Sequence, residues 1–400
     1  MTRVAAGQSP RYEERQGRFE QTLREQGFAA AIVMDRRNLF YLTGTAQPCN
    51  LLVVPGRPPT LLARRVVDWV RQEAAVDRLV EGASLKAVRD ELLSHGLRSG
   101  LLGLELDVIP ALLYLKASEV FADFEIRDCA PGLLEQRFVK DTWELQRLRE
   151  SCSMFEALHE TVLAELRPGI DELSLSAAVV RALRLAGHEG HVFYRRWDAW
   201  LQPEGIVASG AAASRISGHA MTVTGVGLSA ALPWGASTRV IEPGDTVVLD
   251  LGLNKAGYHG DMSRTYVAGK ANDTVREIAA AVRSCQDAAI AAIRPGTPAS
   301  EVYEAARNAM AGTRWEDCFQ GYGTERGEYI GHGVGLELDE LPVLAPHDST
   351  VLEKHMALAI EPKIITPHAG AVQLEDTVIV TDNGCEVIGT VPRQLFEVPS

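Results

Sequence analysis

Asp250 and Asp261 lie in DTVVLDLGLNKAGYHGDMSRTYVAG (245–269), two strand-like runs around a turn at Asn254-Lys255-Ala256-Gly257. A hairpin symmetric about that four-residue turn sets Asp250 directly opposite Asp261, where Cβ atoms stand roughly 4.5–5.5 Å apart. Two carboxylates so placed in an apolar ribbon repel, and a shared proton or a cation must offset the cost. Asp250 follows Val247-Val248-Leu249 and so is not turn-like. The device recurs downstream. Ala357 to Ile360 is an apolar run ending in Glu361; Ala371 to Leu374 ends in Glu375 and continues as DTVIVT. Folding about His368 opposes Glu361 and Glu375. Between the hairpins lies GHGVGLELDELP (331–342), with His332 at its start. Glycines admit close backbone approach, and imidazole is a common metal ligand. Four carboxylates and one imidazole form a hard donor set. It suits Mn²⁺ first, then Co²⁺, Fe²⁺ or Zn²⁺, as a pair of divalent ions roughly 3.5–4 Å apart. The spacing predicts an enzyme with a two-metal site.

Positioning such ribbons takes a sizeable scaffold, and 400 residues predict two domains. The first 139 residues alternate helical and strand-like runs. Arg18 to Gln26, Val66 to Val76 and Ser84 to His95 read as helices, and AAAIVM (29–34) and LLGLEL (101–106) as strands. This alternation predicts a small α/β domain. A boundary falls in Pro131–Asp141, and one long helix is expected from about Thr142 to Leu166. Within 140–400, AELRPGIDELSLSAAVVRAL (164–183) and AAIRPGTPASEVYEAARNAM (291–310) share one plan: helix, Arg-Pro-Gly, polar cap, helix. Coincidence would explain it; the sharper reading is two similar halves, each giving strands to one antiparallel sheet with helices outside.

A formal net charge of −13 argues against nucleic acid or an anionic membrane surface as the main partner. No apolar stretch is long enough to span a bilayer, and the N-terminus has no signal-peptide core. The six cysteines are scattered without a C-x-x-C pair, so a reducing cytoplasm is the expected compartment.

The order Asp250, Asp261, His332, Glu361, Glu375, within VVLDLG, GDMSRTY, GHGVGLELDELP, IEP and LEDTVIVT, resembles the pita-bread metallopeptidase family. That family includes methionine aminopeptidase, aminopeptidase P, prolidase and creatinase. FYLTG (40–44) is similar to part of the creatinase-type N-terminal domain, which favours the last three. The resemblance implies an α+β pita-bread catalytic domain (140–400) behind a smaller α/β domain (1–139), and a homodimer. It implies that Asp250 and Glu375 bridge two metals, that Asp261 completes one, and that His332 and Glu361 complete the other. A water between the metals would attack a polarised carbonyl, with Glu361 shuttling its proton.

The chain departs from the proline-specific members at three columns. Pro233 or Trp234 stands where they place a His before the first Asp, Asp339 where they place another seven after the metal His, and Gln373 where they have an Arg. Asp339 cannot donate a hydrogen bond unless protonated, so it is a candidate base or binder of a substrate cation. His219, in SGHAMTVTG, is a candidate catalytic replacement or a structural residue. Trp234 lines a pocket or packs, and Gln373 is a candidate substrate contact. Tyr194, Trp197 and Trp200 form an aromatic cluster that caps a pocket or packs; Tyr258 and His259 support the metal strands. Three functions remain in play: an Xaa-Pro exopeptidase, a small-molecule C–N hydrolase or lyase on the same fold, and a non-catalytic binding module. The intact ligand set weighs against the last, since such relatives lose metal ligands.

Overall fold

The computed structural model describes residues 11–196, 205–217, 223–367 and 370–399 in two compact units, divided between Arg137 and Phe138. The first unit runs α1 (Tyr12–Glu25), β1 (Ala30–Val33), α2 (Arg36–Thr43), β2 (Cys49–Val53), β3 (Thr60–Ala63), α3 (Val67–Glu73), β4 (Arg78–Glu81), α4 (Leu85–Ser94), β5 (Gly100–Leu104), α5 (Ala111–Val120), β6 (Phe124–Asp128) and α6 (Ala130–Gln136). Its six strands form one mixed sheet in the order β4-β3-β2-β1-β5-β6. Ile32, Leu52, Leu62, Leu102 and Leu104 bury their side chains among Val88 and Leu92 of α4, Ala117 of α5 and Phe121 just after it. Burial of that apolar area is the main force holding the layers together.

The second unit opens with α7 (Thr142–Ser153), α8 (Phe155–Glu165) and α9 (Glu172–Ala186). The expected single helix from Thr142 is thus two, meeting at Met154. Asp141 and Glu144 close a capping box at the start of α7. There follow β7 (Ile206–Ser209), α10 (Gly210–Ala213), β8 (Thr246–Lys255), β9 (Tyr258–Ala268), α11 (Asp273–Ala292), α12 (Ala299–Met310), β10 (Gly331–Gly333), β11 (Glu340–Val343), β12 (Ala357–Ile360), β13 (Lys363–Thr366), β14 (Gly370–Gln373), β15 (Asp376–Val380), β16 (Cys385–Val387) and β17 (Phe396–Val398). One antiparallel sheet was the expectation from the repeat, and the strands divide instead among three: β17-β9-β8-β7, β11-β10-β12-β15-β16 and the ribbon β13-β14. β17 runs parallel to β9 along its outer edge, and Phe396 stacks on Tyr266 at 5.3 Å.

The two Arg-Pro-Gly segments occupy equivalent places in two halves. Gly169 N–H donates to Ile241 O and Ile241 N–H to Ile170 O; Gly296 N–H donates to Leu352 O and Leu352 N–H to Thr297 O. Further on, Gly244 and His355 match, both with positive φ, and donate to Ala268 O and Val380 O. β7-β8-β9 therefore corresponds to β10-β12-β15, which sets Asp250 in the place of Glu361. Ala208, paired with Val248, takes the place of His332, paired with Ala359.

The β8–β9 register corrects the hairpin drawn from the sequence. The turn has two residues, Ala256 and Gly257, with φ of 52° and 81°, the left-handed pair that matches the twist of a two-stranded ribbon. Lys255 consequently pairs with Tyr258, Gly252 with Asp261, and Asp250 with Ser263. The two aspartates are diagonal, not opposed. The shift is one full side-chain period, so both still face the same side.

Candidate metal centre

Asp261, His332 and Glu375 each offer a ligand atom, and these atoms lie within 4.8 Å of one another. His332 Nε2 is 3.7 Å from Asp261 Oδ2, 3.7 Å from Glu361 Oε1 and 3.3 Å from Asp339 Oδ1. Its other nitrogen, Nδ1, is 2.9 Å from the carbonyl of Gly333. A proton on Nδ1, donated there, makes Nε2 the nitrogen that faces the carboxylates and that would ligate a metal once its own proton is displaced. Glu361 and Glu375 lie where the β12–β15 and β13–β14 registers meet, Ile360 pairing with Asp376 and Lys363 with Gln373. The fold about His368 therefore opposes them as expected, although His368 itself lies outside the described residues.

Hydroxyls and backbone tie the two ribbons side by side. Thr377 Oγ1 accepts from Asp261 N–H and donates to Asp261 O, while Thr265 Oγ1 accepts from Gln373 N–H and donates to Gln373 O. Between these rungs Glu375 N–H donates to Ser263 O at 3.1 Å. Arg264, fully buried, donates to Asp376 Oδ1 at 2.6 Å and to the Glu375 carbonyl at 2.5 Å. The acids are thereby fixed on neighbouring backbones before any ligand arrives.

Burial holds the carboxyls of Asp261 and Glu375 well above the ordinary range, and the surrounding carboxylates push the same way. Burial alone would lower the His332 imidazole, but Asp339, Glu361 and Asp261 outweigh it and push it up to about 9. Glu375 Oε2 is buried with no hydrogen-bond partner among the described residues. An orphaned carboxylate oxygen inside a cluster of acids is a costly arrangement unless a cation joins it. The donor set fits a divalent metal.

Gln373 does not point to open space: its Nε2 donates to Asp250 Oδ2 at 3.0 Å. Trp234, 5% exposed, packs in a cluster with Ile206, Ala208, Val223, Val248 and Ile365. Asp339, half exposed, stands at the rim. His219, Trp197 and Trp200 lie outside the described residues. Tyr194 is close enough that Asp339 and Asp261, after burial, raise its phenol well above its usual value. Tyr258 donates to Glu144, and His259 Nε2 accepts from Phe193 N–H, so both brace the β9 strand.

Lys363 went unread in the sequence. Its fully buried ammonium contacts Glu361 Oε2 and lies 5.4 Å from the centre of the Tyr329 ring. The signal was available: a lysine inside the apolar run IEPKII, two residues after Glu361 and so on the same strand face. Thr265, Thr377 and Arg264 carry no such signal, because their role depends on which strands lie side by side.

Metallopeptidase family M24 matches residues 146–382, and the creatinase/prolidase N-terminal domain matches 15–139. The chain belongs to metallopeptidase family M24. It is 27% identical over 372 residues to the Xaa-Pro dipeptidase of Pyrococcus horikoshii, an alignment spanning 92% of this chain and 94% of that one. It is 35% identical over 279 residues to the Xaa-Pro dipeptidase of Lactobacillus delbrueckii subsp. lactis, spanning 70% and 67%. The solved Xaa-Pro dipeptidase from Bacillus anthracis superposes with a TM-score of 0.82 at 28% identity, over 96% of this chain and 99% of that one. This M24 member is accordingly a peptidase-type hydrolase, with the α+β pita-bread catalytic fold and a family dependence on divalent metal. No helix among the described residues is long and apolar enough to cross a membrane.

Proposed function

We propose that this M24 member is a metal-dependent exopeptidase acting on small peptides of the Xaa-Pro kind. Asp250, Asp261, His332, Glu361 and Glu375 are its metal ligands, for two divalent ions with Mn²⁺ first among Mn²⁺, Co²⁺, Fe²⁺ and Zn²⁺. The observation that carries the reading is the buried Glu375 Oε2, without a hydrogen-bond partner among the described residues, inside the Asp261–His332–Glu375 cluster. It stands on a chain that aligns nearly end to end with an Xaa-Pro dipeptidase. Divalent ions held by those residues would polarise an amide carbonyl and make water a nucleophile near neutral pH. The residues supply the rest. The Gly333 carbonyl fixes the His332 tautomer, and Arg264 and Thr377 fix the acids. Glu361 takes a proton on Oε1, the oxygen turned toward His332, and passes it to the leaving nitrogen. Asp339 at the rim accepts the substrate's ammonium. A homodimer, implied by the family, is checked by light scattering.

The test is to incubate the Mn²⁺-loaded chain with Xaa-Pro dipeptides and Xaa-Pro-Yaa peptides. Turnover that disappears in Glu375→Ala supports the reading; no turnover of any of them abandons it. A second reading, hydrolysis or elimination on a non-peptide small molecule, is favoured by Gln373, whose amide is turned onto Asp250, and by the acidic Asp339. A metabolite screen that finds a C–N substrate while peptides stay intact would establish it.

A further inference from the structure

Lys363 and Gln373 face each other on the last rung of the β13–β14 ribbon, one step inward from Glu361 and Glu375. Both are buried, with 0% and 1% exposure. Each grips a different carboxylate. Lys363 Nζ contacts Glu361 Oε2, and Gln373 Nε2 donates to Asp250 Oδ2. Glu361 is left with Oε1 toward His332, at 3.7 Å. The equivalent rung of the other half is Gly252 opposite Asp261, which has no cation and a carboxylate instead. A Cβ on Gly252 would meet the Leu338 side chain at 2.5 Å, so any side chain there would have to displace Leu338. The halves are therefore unlike by design of charge: one rung presents an acid to the site, the other an ammonium and an amide that hold acids.

We propose that Lys363, with Gln373 across the strand, is a positioning clamp that grips Glu361 and Asp250 by one oxygen each and so sets the orientation in which each acid meets the metal site. This rests on the metal reading above. A carboxylate free at both oxygens can swing between orientations; one pinned at Oε2 by a buried ammonium is held in a single orientation. The neighbouring Tyr329 ring, facing Lys363 Nζ, keeps the ammonium from turning away from the acid.

The full chain, stripped with a chelator, is titrated with Mn²⁺ by calorimetry, with thermal unfolding of each metal-free form measured alongside. Lys363→Met is expected to bind Mn²⁺ about 10–100-fold more weakly, the loss typical when a group holding a ligand is removed. Lys363→Arg stays near wild type. The transposed pair, Lys363→Gln with Gln373→Lys, returns an ammonium to the facing rung and recovers most of the affinity lost in Lys363→Gln alone. That rescue separates the clamp from a role in stability only. An unchanged affinity in Lys363→Met overturns the clamp, and a tighter one does too, since it makes the ammonium a competitor of the ion. Should Lys363→Met fail to fold, the transposed pair decides: affinity no better than that of Lys363→Gln overturns the proposal. Wild-type chain that binds no Mn²⁺ overturns the metal reading itself, whereas binding that ignores Lys363 overturns the clamp alone.

Discussion

The hydroxyl of Thr377 both accepts from the backbone N–H of Asp261 and donates to the Asp261 carbonyl, each at 2.9 Å. One side chain thus satisfies both polar backbone groups of a buried candidate ligand on a neighbouring ribbon. Thr377→Val keeps the shape and removes both bonds, leaving Asp261 with two unpaired groups. The expected loss is about 1–3 kcal/mol of stability per group. Mn²⁺ affinity should fall about 10–100-fold, because the ligand is no longer aimed. Calorimetric titration of Thr377→Val beside Thr377→Ser checks it; equal affinity in the two would refute the aiming role.

Metal uptake should release protons. Asp261 and Glu375 hold their protons to higher pH than ordinary carboxyls, so the metal-free site keeps protons where exposed carboxyls have already lost theirs. An ion must displace those protons, and affinity falls as pH falls. The sign for stability follows the same shifts. A carboxyl with a raised folded pKa favours the metal-free fold below its unfolded value and loses that contribution as pH rises through the raised one. Stabilisation by Mn²⁺ should therefore grow with rising pH. Melting curves with and without Mn²⁺ across neutral pH, and titrations in buffers of different ionisation enthalpy, measure both; no released proton would contradict the shifts.

Arg264→Met should be costly. The guanidinium and its partner Asp376 are both wholly buried, and breaking such a pair from one side costs about 3–5 kcal/mol. Because Arg264 also holds the Glu375 carbonyl, Mn²⁺ binding should weaken in the same variant. Denaturant unfolding reads the first effect and titration the second.

Asp339→Asn tests the rim. Its side chain is 52% exposed, so little stability should change. If it receives a substrate ammonium, KM for peptides with a free amino end should rise about tenfold, equivalent to ~1.4 kcal/mol. The kcat should move little. N-acetylated peptides should not respond, and an equal change for both would remove Asp339 from recognition.

The candidate ligands were legible because their types are rare in apolar strands, and a strand's period of two tells which face each takes. Asp250 and Asp261 were assigned the wrong partners yet the right face, since choosing a two-residue turn over a four-residue one slides the ribbon by a whole period. The echo of Arg-Pro-Gly segments marked two halves but not their sheets, because hydrogen-bonded neighbours depend on contacts far apart in the chain. Thr377 and Arg264 stayed invisible for the same reason. Lys363 was legible and passed over: a lone lysine in an apolar run ordinarily signals an edge strand, and only its contact with Glu361 gives it chemistry.

The short strand Phe396–Val398 is the outermost member of the sheet that holds Asp250 and Asp261. It occupies the free hydrogen-bonding edge of β9, with Phe396 sealing the rings of Tyr266 and His159. A chain trimmed back to Gln394 would bare that edge as a template on which a second copy could lay a strand. Truncations that remove this strand would thus report on aggregation before they report on catalysis.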